Sequence, residues 1–150
     1  YKLLNETMKK ITDEYIKTNN LTFVYKDFPL NGEQSILASE AAYCAEKQNK
    51  FWEYHNTLYN NWGGENTGWI TENVLLGFAR DLEMNLDDFS QCLGNSEFRQ
   101  KVLDNERFGR EIGINATPSF LIFNDNEIYR IIGAQPFEKF EQVFQKLGNS

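Results

Sequence analysis

The chain has 150 residues, of which 41% are hydrophobic and 15% aromatic, so it carries enough apolar material for the core of one domain and is not a disordered chain. Its 22 acidic residues outnumber the 15 basic ones and give a net charge of −7, which argues against nucleic acid as a partner. No run of about 18 apolar residues occurs, so the sequence predicts no membrane-spanning helix.

Residues that commonly carry metal or hydrolytic chemistry are scarce. The single histidine, His55, and the two cysteines, Cys44 and Cys92, are too few for a four-ligand zinc site. A serine hydrolase would have to depend on His55, and the sequence has no Gly-x-Ser-x-Gly elbow. We therefore expect no metal and no cofactor.

The first two predicted elements are a helix and a strand. The helix is indicated by apolar side chains at helical spacing, which are Leu4, Met8, Ile11 and Tyr15. No capping residue precedes it, so we expect this helix to have begun before Tyr1. The β-branched and aromatic run Leu21–Phe28, closed by Pro29, predicts a strand.

The region from about Ser35 to Gly113 is predicted to be almost entirely helical. Its first helix, Ile36–Lys47, is rich in alanine, and its second, Phe51–Trp62, is rich in aromatic residues. A glycine-rich loop at 63–68 follows, and further helices are predicted to begin at Thr71, Asn85 and Asn95.

Beyond Gly113 the periodicity changes from helical to alternating. The apolar runs Ser119–Phe123 and Glu127–Ile132, joined by three turn residues, predict a β-hairpin. Pro136 opens a last helix that Gly148 ends. The predicted order is helix, strand, helical block, hairpin and helix.

Several short motifs follow one another in the order and spacing of a known family. They are Lys26-Asp27-Phe28-Pro29-Leu30, Ala41-Ala42-Tyr43-Cys44-Ala45-Glu46-Lys47-Gln48, Phe51-Trp52-Glu53-Tyr54-His55, Phe89-Ser90-Gln91-Cys92-Leu93, Gly113-Ile114-Asn115-Ala116-Thr117-Pro118-Ser119-Phe120 and Gly133-Ala134-Gln135-Pro136. With these motifs the chain closely resembles the DsbA-like family of thiol–disulfide oxidoreductases. The resemblance implies an α/β chain with a thioredoxin fold and an inserted helical domain, whose first strand is missing here. It assigns residues 1–30 and 114–150 to the thioredoxin-like domain and 31–113 to the insertion.

The catalytic Cys-x-x-Cys of that family is absent from the sequence, and the resemblance places it just before Tyr1. The uncapped first helix and the start at Tyr1 agree with an unseen upstream segment, and the alternative is a natural variant that lost the motif. A cysteine at a helix N-terminus has a lowered pKa and is a good leaving group, which suits it to disulfide transfer.

Thr117-Pro118 precedes a predicted strand. Since only about 5–6% of X-Pro bonds are cis, the residues alone favour a trans bond. The resemblance implies instead a cis-proline loop that faces the active-site cysteines and pairs the main chain of Thr117 with an extended substrate.

Cys44 and Cys92 have three possible roles. Free cysteines commonly behave as small buried hydrophobic residues, and a redox pair or a structural disulfide are the alternatives. Neither cysteine lies at a predicted helix N-terminus. The resemblance to exported proteins favours the structural disulfide, because such bonds persist in oxidising compartments.

His55 and its aromatic neighbours are interpreted mainly as packing residues. His55 lies among aromatic side chains at helical spacing, which is typical of a structural histidine. Some of the aromatics, such as Trp62 and Trp69 beside the glycine-rich loop, could line a substrate groove.

The resemblance therefore implies an enzyme, a protein thiol–disulfide oxidoreductase, with reduced or unfolded exported polypeptides and a membrane redox partner as its partners. It implies an extracytoplasmic location, periplasmic, cell-surface or secreted, and allows a membrane anchor upstream of Tyr1. The segment alone is expected to be inactive. The alternatives are a redox-inactive module that binds extended peptides at Thr117 and Pro118, and a cytosolic glutathione-dependent relative that uses a serine.

Overall fold

The computed structural model of the protein describes residues 2–148, so Tyr1, Asn149 and Ser150, which the predicted domain ranges include, lie outside the described residues. The helices are α1 (Lys2–Ile11), a π-helical segment (Thr12–Ile16), α2 (Glu33–Glu46), α3 (Phe51–Asn60), α4 (Glu72–Asp81), α5 (Leu86–Gly94), α6 (Arg99–Glu111) and α7 (Phe137–Gly148). The strands are β1 (Ser119–Phe123) and β2 (Ile128–Ile132). None of the helices in this range is long and apolar enough to cross a bilayer.

The chain divides into two compact units. Residues 2–25 and 113–148 form the first unit, which contains α1, the π-helical segment, the hairpin and α7. Residues 26–112 form the second, which contains α2 to α6. The helices α2 to α6 thus lie together in one compact unit.

The core of the first unit lies between the hairpin and its two flanking helices. β1 and β2 pair antiparallel, with Ser119 opposite Ile132 and Phe123 opposite Ile128. Because side chains alternate across a strand, one face of the hairpin carries its inward-facing residues. These pack with residues of α1 and α7 into a cluster whose buried members are Ile11, Ile122, Phe137 and Phe140.

The predicted strand Leu21–Phe28 is wrong as secondary structure. No strand is assigned to residues 21–30, and the described sheet consists of β1 and β2 alone. Burial nevertheless alternates along the run, since Leu21, Phe23 and Tyr25 are half-buried while the residues between them are exposed. A strand also requires ladder hydrogen bonds to a neighbour, and no neighbouring strand in the described range supplies them.

The second unit is built around α2. Its alanines Ala41, Ala42 and Ala45 are buried and lack bulk, which permits close approach of the neighbouring helices α3, α5 and α6. The large buried side chains that fill the unit include Tyr54, Leu75 and Phe89. The alanine-rich helix predicted from the sequence therefore provides the packing surface at the centre of this unit.

Two helices of the second unit begin where their capping residues predict. The Thr71 hydroxyl accepts a hydrogen bond from the Val74 N–H at 3.3 Å, and the Asn85 side chain accepts from the N–H groups of Asp87 and Asp88 at 3.1 Å. Each cap satisfies N–H groups that have no partner inside the helix. The helix predicted to start at Asn95 begins instead at Arg99, after a turn.

Candidate functional site

Thr7 connects α1 to the loop between β2 and α7. Its hydroxyl donates to the main-chain carbonyl of Gln135 at 3.0 Å, and its side chain is only 2% exposed. The Gln135 side chain in turn donates to the Ile132 carbonyl at 3.2 Å. Thr7 was not predicted as a site residue, although it lies in the apolar stripe of α1 between Leu4 and Ile11. A hydroxyl at such a position signals a buried donor that needs an acceptor.

The loop before β1 presents Thr117 to solvent. The Thr117–Pro118 peptide is cis, Thr117 is exposed and Pro118 is half-buried. The Ser119 hydroxyl donates to the Ala116 carbonyl at 2.7 Å and closes the loop on itself. The structure gives the Thr117 main chain no hydrogen-bond partner among residues 2–148, so its polar groups are available to a ligand.

These two loops lie at the same end of the hairpin. The Gly133 N–H donates to the Pro118 carbonyl at 2.8 Å, which continues the β1–β2 ladder by one pair. The loop that contains Thr117 is thereby joined to the loop whose Gln135 carbonyl binds Thr7 of α1. A chain of hydrogen bonds thus runs from α1 to the Thr117–Pro118 loop.

The first described turn of α1 follows directly on Tyr1. It contains no acidic side chain, and Lys2, whose side chain is 92% exposed, lies within it. A helix N-terminus carries roughly half a positive charge, which favours a thiolate over a thiol. Lys2 also lies near Glu6 of the following turn, whose Oε1 is 3.9 Å from its Nζ, and this offsets part of its positive charge. The expected position of the catalytic motif, before Tyr1, lies outside the described residues.

Cys44 and Cys92 are joined in a disulfide between α2 and α5. The S–S distance is 2.05 Å, the Cα–Cα distance is 5.8 Å, and each residue is 1% exposed. Both cysteines lie in the last turn of their helix, where the dipole disfavours a thiolate. Their surroundings therefore lack the features of a reactive cysteine pair.

His55 is packed among the aromatic side chains of α3. Its ring lies 4.7 Å from that of Tyr59, 5.5 Å from that of Trp52 and 6.0 Å from that of Phe51, measured between centroids. Burial lowers the pKa of His55, against a weaker opposing effect of Asn56. This histidine therefore favours the neutral form.

Trp62 and Trp69 have different surroundings. Trp62 is 62% exposed beyond the end of α3. Trp69 is half-buried against the core of the second unit and lies over Gly63, where a Cβ would come within 2.7 Å of its ring. Trp69 therefore acts in packing, and Trp62 alone of the two is available at the surface.

A buried carboxylate in α2 was missed from the sequence. Glu40 is 1% exposed, and its Oε2 lies 3.3 Å from Nη1 of Arg99. Arg99 is held by Glu33, whose two carboxylate oxygens lie 2.6 and 2.7 Å from Nη2. Burial raises the pKa of Glu40, and the charge of Arg99 opposes this only in part. The sequence did not single out this position, because a glutamate in an alanine-rich helix is ordinarily expected to face solvent.

Asp27, in the Lys-Asp-Phe-Pro motif, is also buried. Its Oδ1 accepts hydrogen bonds from the Tyr43 hydroxyl and from the Asn105 amide, the latter at 2.7 Å. Burial, with a smaller contribution from Asp27, raises the pKa of Tyr43. The cluster ties the segment before α2 to α2 and α6. Among residues 2–148 no group of His, Cys, Asp and Glu side chains has the arrangement of a metal site.

Comparison with known proteins gives a family and a fold. The sequence model of the thioredoxin family matches residues 3–146. Among curated proteins, the probable disulfide bond formation protein D of Bacillus cereus is 24% identical over 119 residues, 77% of this chain and 55% of that protein. The disulfide bond formation protein D of Bacillus subtilis is 22% identical over 127 residues, 83% of this chain and 57% of that protein. The chain thus spans about half the length of the curated relatives it matches.

The solved structures that resemble the protein have the same architecture. Oxidised BdbD from Bacillus subtilis superposes with a TM-score of 0.79 at 19% identity, over 99% of this chain and 80% of that one. The alpha-DsbA1 of Wolbachia pipientis gives a TM-score of 0.78 at 23% identity, over 93% of this chain and 74% of that one. The chain therefore belongs to the thioredoxin family and has a DsbA-like fold, a thioredoxin fold with an inserted helical domain.

Proposed function

We propose that the protein is a thiol–disulfide oxidoreductase that acts on the disulfides of exported proteins through a Cys-x-x-Cys preceding Tyr1. The observation that supports this most directly is the hydrogen-bonded connection from α1 through Thr7 and Gln135 to the Thr117–Pro118 loop. It links the helix whose N-terminus favours a thiolate to a loop whose main chain can bind an extended peptide. The names of the Bacillus relatives, disulfide bond formation proteins, agree with this chemistry.

The exchange would proceed in two steps at the proposed motif. A substrate thiolate attacks one sulfur of the enzyme disulfide, forms a mixed disulfide and releases the other enzyme cysteine as a thiolate. A second substrate thiolate then attacks the mixed disulfide, so that the substrate gains a disulfide and the enzyme becomes a dithiol. The N-terminus of α1 would favour the release of the enzyme cysteine because it stabilises the thiolate.

Substrate binding is proposed at the loop before β1. The exposed main chain of Thr117 would pair with an extended substrate segment as in β-strand addition. The Pro118 carbonyl is already bound by the Gly133 N–H, so the free polar groups of this loop belong to Thr117. Thr117 and Pro118 are therefore the substrate-binding residues of the proposal.

The proposed setting is extracytoplasmic. Reduced or unfolded exported polypeptides would be the substrates, and a membrane redox partner would reoxidise the enzyme dithiol. The buried Cys44–Cys92 disulfide supports this setting, because structural disulfides persist in oxidising compartments and are rare in the cytosol. Its proposed role is structural.

A redox-inactive peptide-binding module is the second candidate. The exposed Thr117 main chain favours it independently, since peptide binding at that loop needs no cysteine. The residues that precede Tyr1 distinguish the two candidates, because a Cys-x-x-Cys there supports the enzyme and its absence supports the module.

The test compares two forms of the protein in the oxidation of a reduced, unfolded substrate. We expect a form extended upstream to include the Cys-x-x-Cys to be active, and the chain of 150 residues to be inactive, because it lacks the nucleophile. The double variant Cys44→Ala/Cys92→Ala of the longer form serves as the control and should keep its activity. Activity in the shorter chain, or none in the longer form, contradicts the proposal.

A further inference from the structure

Two buried side chains hold the described part of α1 against the rest of the first unit, and they are Thr7 and Ile11. Ile11 packs in the apolar cluster with Phe137 and Phe140 of α7, a contact that is not directional. Thr7 makes a directional contact, since its hydroxyl donates to the Gln135 carbonyl at 3.0 Å. Thr7 is also the buried contact that lies closer to the start of the helix.

The distance of each buried contact from the start of α1 determines how far it controls that start. With a rise of about 1.5 Å per residue, Thr7 lies about 7–8 Å from Lys2 along the helix axis, and Ile11 about 13–14 Å. Without the Thr7 hydrogen bond, α1 could tilt about Ile11, and a tilt of about 5° would move the helix start by about 1 Å. The side chains of residues 2–6 are exposed or half-buried, so they provide no further buried contact.

The partner of Thr7 belongs to a loop that is itself bonded to the substrate-binding loop of the proposed function. The Gln135 side chain donates to the Ile132 carbonyl at 3.2 Å, and the Gly133 N–H donates to the Pro118 carbonyl at 2.8 Å. Gly133 has a φ of +80°, which a residue without a Cβ adopts readily, and the chain turns there between the two bonds. The hydroxyl of Thr7 therefore fixes the start of α1 relative to the loop before β1.

We propose that Thr7 is a positioning residue for disulfide exchange with polypeptide substrates, an inference that rests on the proposed function. A substrate segment paired with the main chain of Thr117 has its sulfur placed by the loop, whereas the enzyme disulfide is placed by the start of α1. Attack of a thiolate on a disulfide requires the reacting atoms to be aligned and about 3–3.5 Å apart. The hydrogen bond from Thr7 to Gln135 sets these two positions relative to each other.

The role of Thr7 is confined to substrates that bind the loop. In each exchange one substrate thiolate attacks, the enzyme S–S bond breaks with release of an enzyme thiolate, and a second substrate thiolate closes the substrate disulfide. Two electrons and two thiol protons thus pass from the substrate dithiol to the enzyme. A small dithiol such as dithiothreitol performs the same steps without pairing with Thr117, so it can approach in whichever orientation the helix start requires.

Thr7 lies beyond the helix turn whose field would act on the enzyme cysteine. The N–H groups without a partner are those of the first four residues of a helix, and the dipole effect falls off within the first turn. Removing the Thr7 hydroxyl therefore leaves this field as it is. The pH profile of the dithiothreitol reaction should be the same with and without the hydroxyl, which separates a positioning role from an electrostatic one.

The test uses the form of the protein extended upstream to include the Cys-x-x-Cys. The probes are the reduced peptide Thr-Val-Cys-Thr-Val-Thr-Cys-Val-Thr and dithiothreitol, each mixed with oxidised enzyme, quenched with acid and followed as reduced enzyme by reversed-phase chromatography. We expect Thr7→Val to lower the second-order rate constant for the peptide by about 10- to 100-fold, and to leave that for dithiothreitol within about twofold. Thr7→Ser keeps the hydroxyl and should restore the peptide rate constant to within about threefold of the unaltered protein.

A variant destabilised elsewhere controls for the loss of stability. Gly109→Ala brings a Cβ within 2.7 Å of the Phe28 ring, and both residues belong to the second unit, whereas α1 and the two loops belong to the first. It should leave the ratio of the peptide and dithiothreitol rate constants unchanged. If Thr7→Val does not fold, Gln135→Ala takes its place, because it releases the loop from the Ile132 carbonyl and should lower the peptide rate constant alone, by about three- to tenfold.

The outcomes separate the positioning role from the proposed function. A loss confined to the peptide, restored by Thr7→Ser and absent from Gly109→Ala, supports both. Equal losses with the two thiols, no loss with the peptide, or a shifted pH profile of the dithiothreitol reaction would overturn the role of Thr7 and leave the oxidoreductase activity standing. An unaltered longer form that reacts with neither thiol would overturn the proposed function, and the role of Thr7 with it.

Discussion

Thr7 is a polar residue on the apolar face of α1, and its single hydroxyl connects two parts of the candidate site. Thr7 is buried and its hydrogen bond to the Gln135 carbonyl is partly buried, so water has little room to replace the hydroxyl if the bond is lost. A buried carbonyl without a partner costs more free energy than the net gain of an ordinary hydrogen bond. The position of α1 relative to the β2–α7 loop therefore depends on this residue.

Replacing Thr7 by Val tests this dependence with nearly the same side-chain shape. We expect Thr7→Val to lower the free energy of unfolding by about 1–2 kcal/mol, because the Gln135 carbonyl is left unsatisfied. The measurement is urea unfolding followed by circular dichroism. The control is Thr18→Val, since the Thr18 hydroxyl is exposed and its partners, the carbonyls of Glu14 and Tyr15 and the side-chain amide of Asn20, are nearby in the chain, so it should cost less than about 0.5 kcal/mol. Equal losses in the two variants would count against the structural role of Thr7.

Glu40 is a buried charge whose environment disfavours ionisation. Since its pKa in the folded protein is raised above the usual 4.5, the folded state binds a proton that the unfolded state releases at the same pH. Its contribution to stability is therefore most favourable below pH 4.5 and becomes less favourable as the pH rises through the folded-state pKa. The positive charge of Arg99 reduces the free-energy cost of burying the ionised Glu40 carboxylate but does not remove it.

We expect Glu40→Gln to be up to about 1 kcal/mol more stable than the unaltered protein at pH 7, because the amide carries no charge to desolvate. The difference should shrink as the pH falls from the raised folded-state pKa toward 4.5, because Glu40 becomes protonated first in the folded state and then in both states. Unfolding midpoints between pH 4 and pH 7 provide the measurement. Glu33→Gln is the control, since Glu33 pairs with the same Arg99 but its side chain is 75% exposed, and it should lose no more than about 1 kcal/mol. A loss of several kcal/mol in Glu40→Gln at pH 7 would show that the ionised pair stabilises the protein.

At the scale of elements, the packing of α6 depends on a glycine. A Cβ at Gly109 would lie 2.7 and 2.8 Å from two atoms of the Phe28 ring, so the absence of a side chain permits this contact. Phe28 belongs to the Lys-Asp-Phe-Pro motif, and Asn105 of the same helix binds Asp27. The motif therefore positions α6 through the Phe28 ring and the Asp27 carboxylate.

Gly109→Ala and Gly77→Ala form a matched pair of helix substitutions. Alanine at Gly109 should cost about 1–3 kcal/mol of unfolding free energy, because the added methyl group overlaps the Phe28 ring. Gly77, within α4, has no atom within 4 Å of the added Cβ, so the same change there should stabilise the helix by about 0.5–1 kcal/mol. The measurement is the midpoint of thermal unfolding of the two variants. A shift of that midpoint in the same direction in both would contradict the contact with Phe28.

At the scale of the whole molecule, the disulfide belongs to one of the two compact units. Cys44 and Cys92 both lie in the second unit and are 48 positions apart. Closing a loop of that length restricts the unfolded chain, which in the chain-entropy model stabilises the folded state by about 4 kcal/mol. The benefit comes from the unfolded state and requires no reactivity of the bond.

Thiol counting checks the disulfide directly. In the unfolded protein prepared without reductant we expect no titratable thiol, and two after reduction. The double variant Cys44→Ala/Cys92→Ala should lose about 4 kcal/mol of unfolding free energy, and the difference should largely disappear when both proteins are compared under reducing conditions. Two free thiols in protein prepared without reductant would contradict the pairing and weaken the case for an extracytoplasmic location.

Several secondary-structure elements could be predicted from the residues alone. Periodicity located α4, the hairpin and α7 closely, because helix caps, turn residues and apolar spacing are local properties. The strand predicted at Leu21–Phe28 was wrong because a strand is not defined by local properties alone. Its β-branched and aromatic residues favour an extended chain, but the hydrogen bonds that define a strand depend on a partner elsewhere in the molecule.

The sequence by itself determined the fold class, through motifs and element order, and the apolar faces on which each helix packs. Only the tertiary structure decided which partner each buried polar residue finds, namely Gln135 for Thr7, Arg99 for Glu40, and Tyr43 for Asp27. It also brought Cys44 and Cys92 within bonding distance, which their spacing left open among three roles. The physical reason is that these contacts join residues between 16 and 128 positions apart, so they depend on the packing of whole elements and leave no mark in the local pattern.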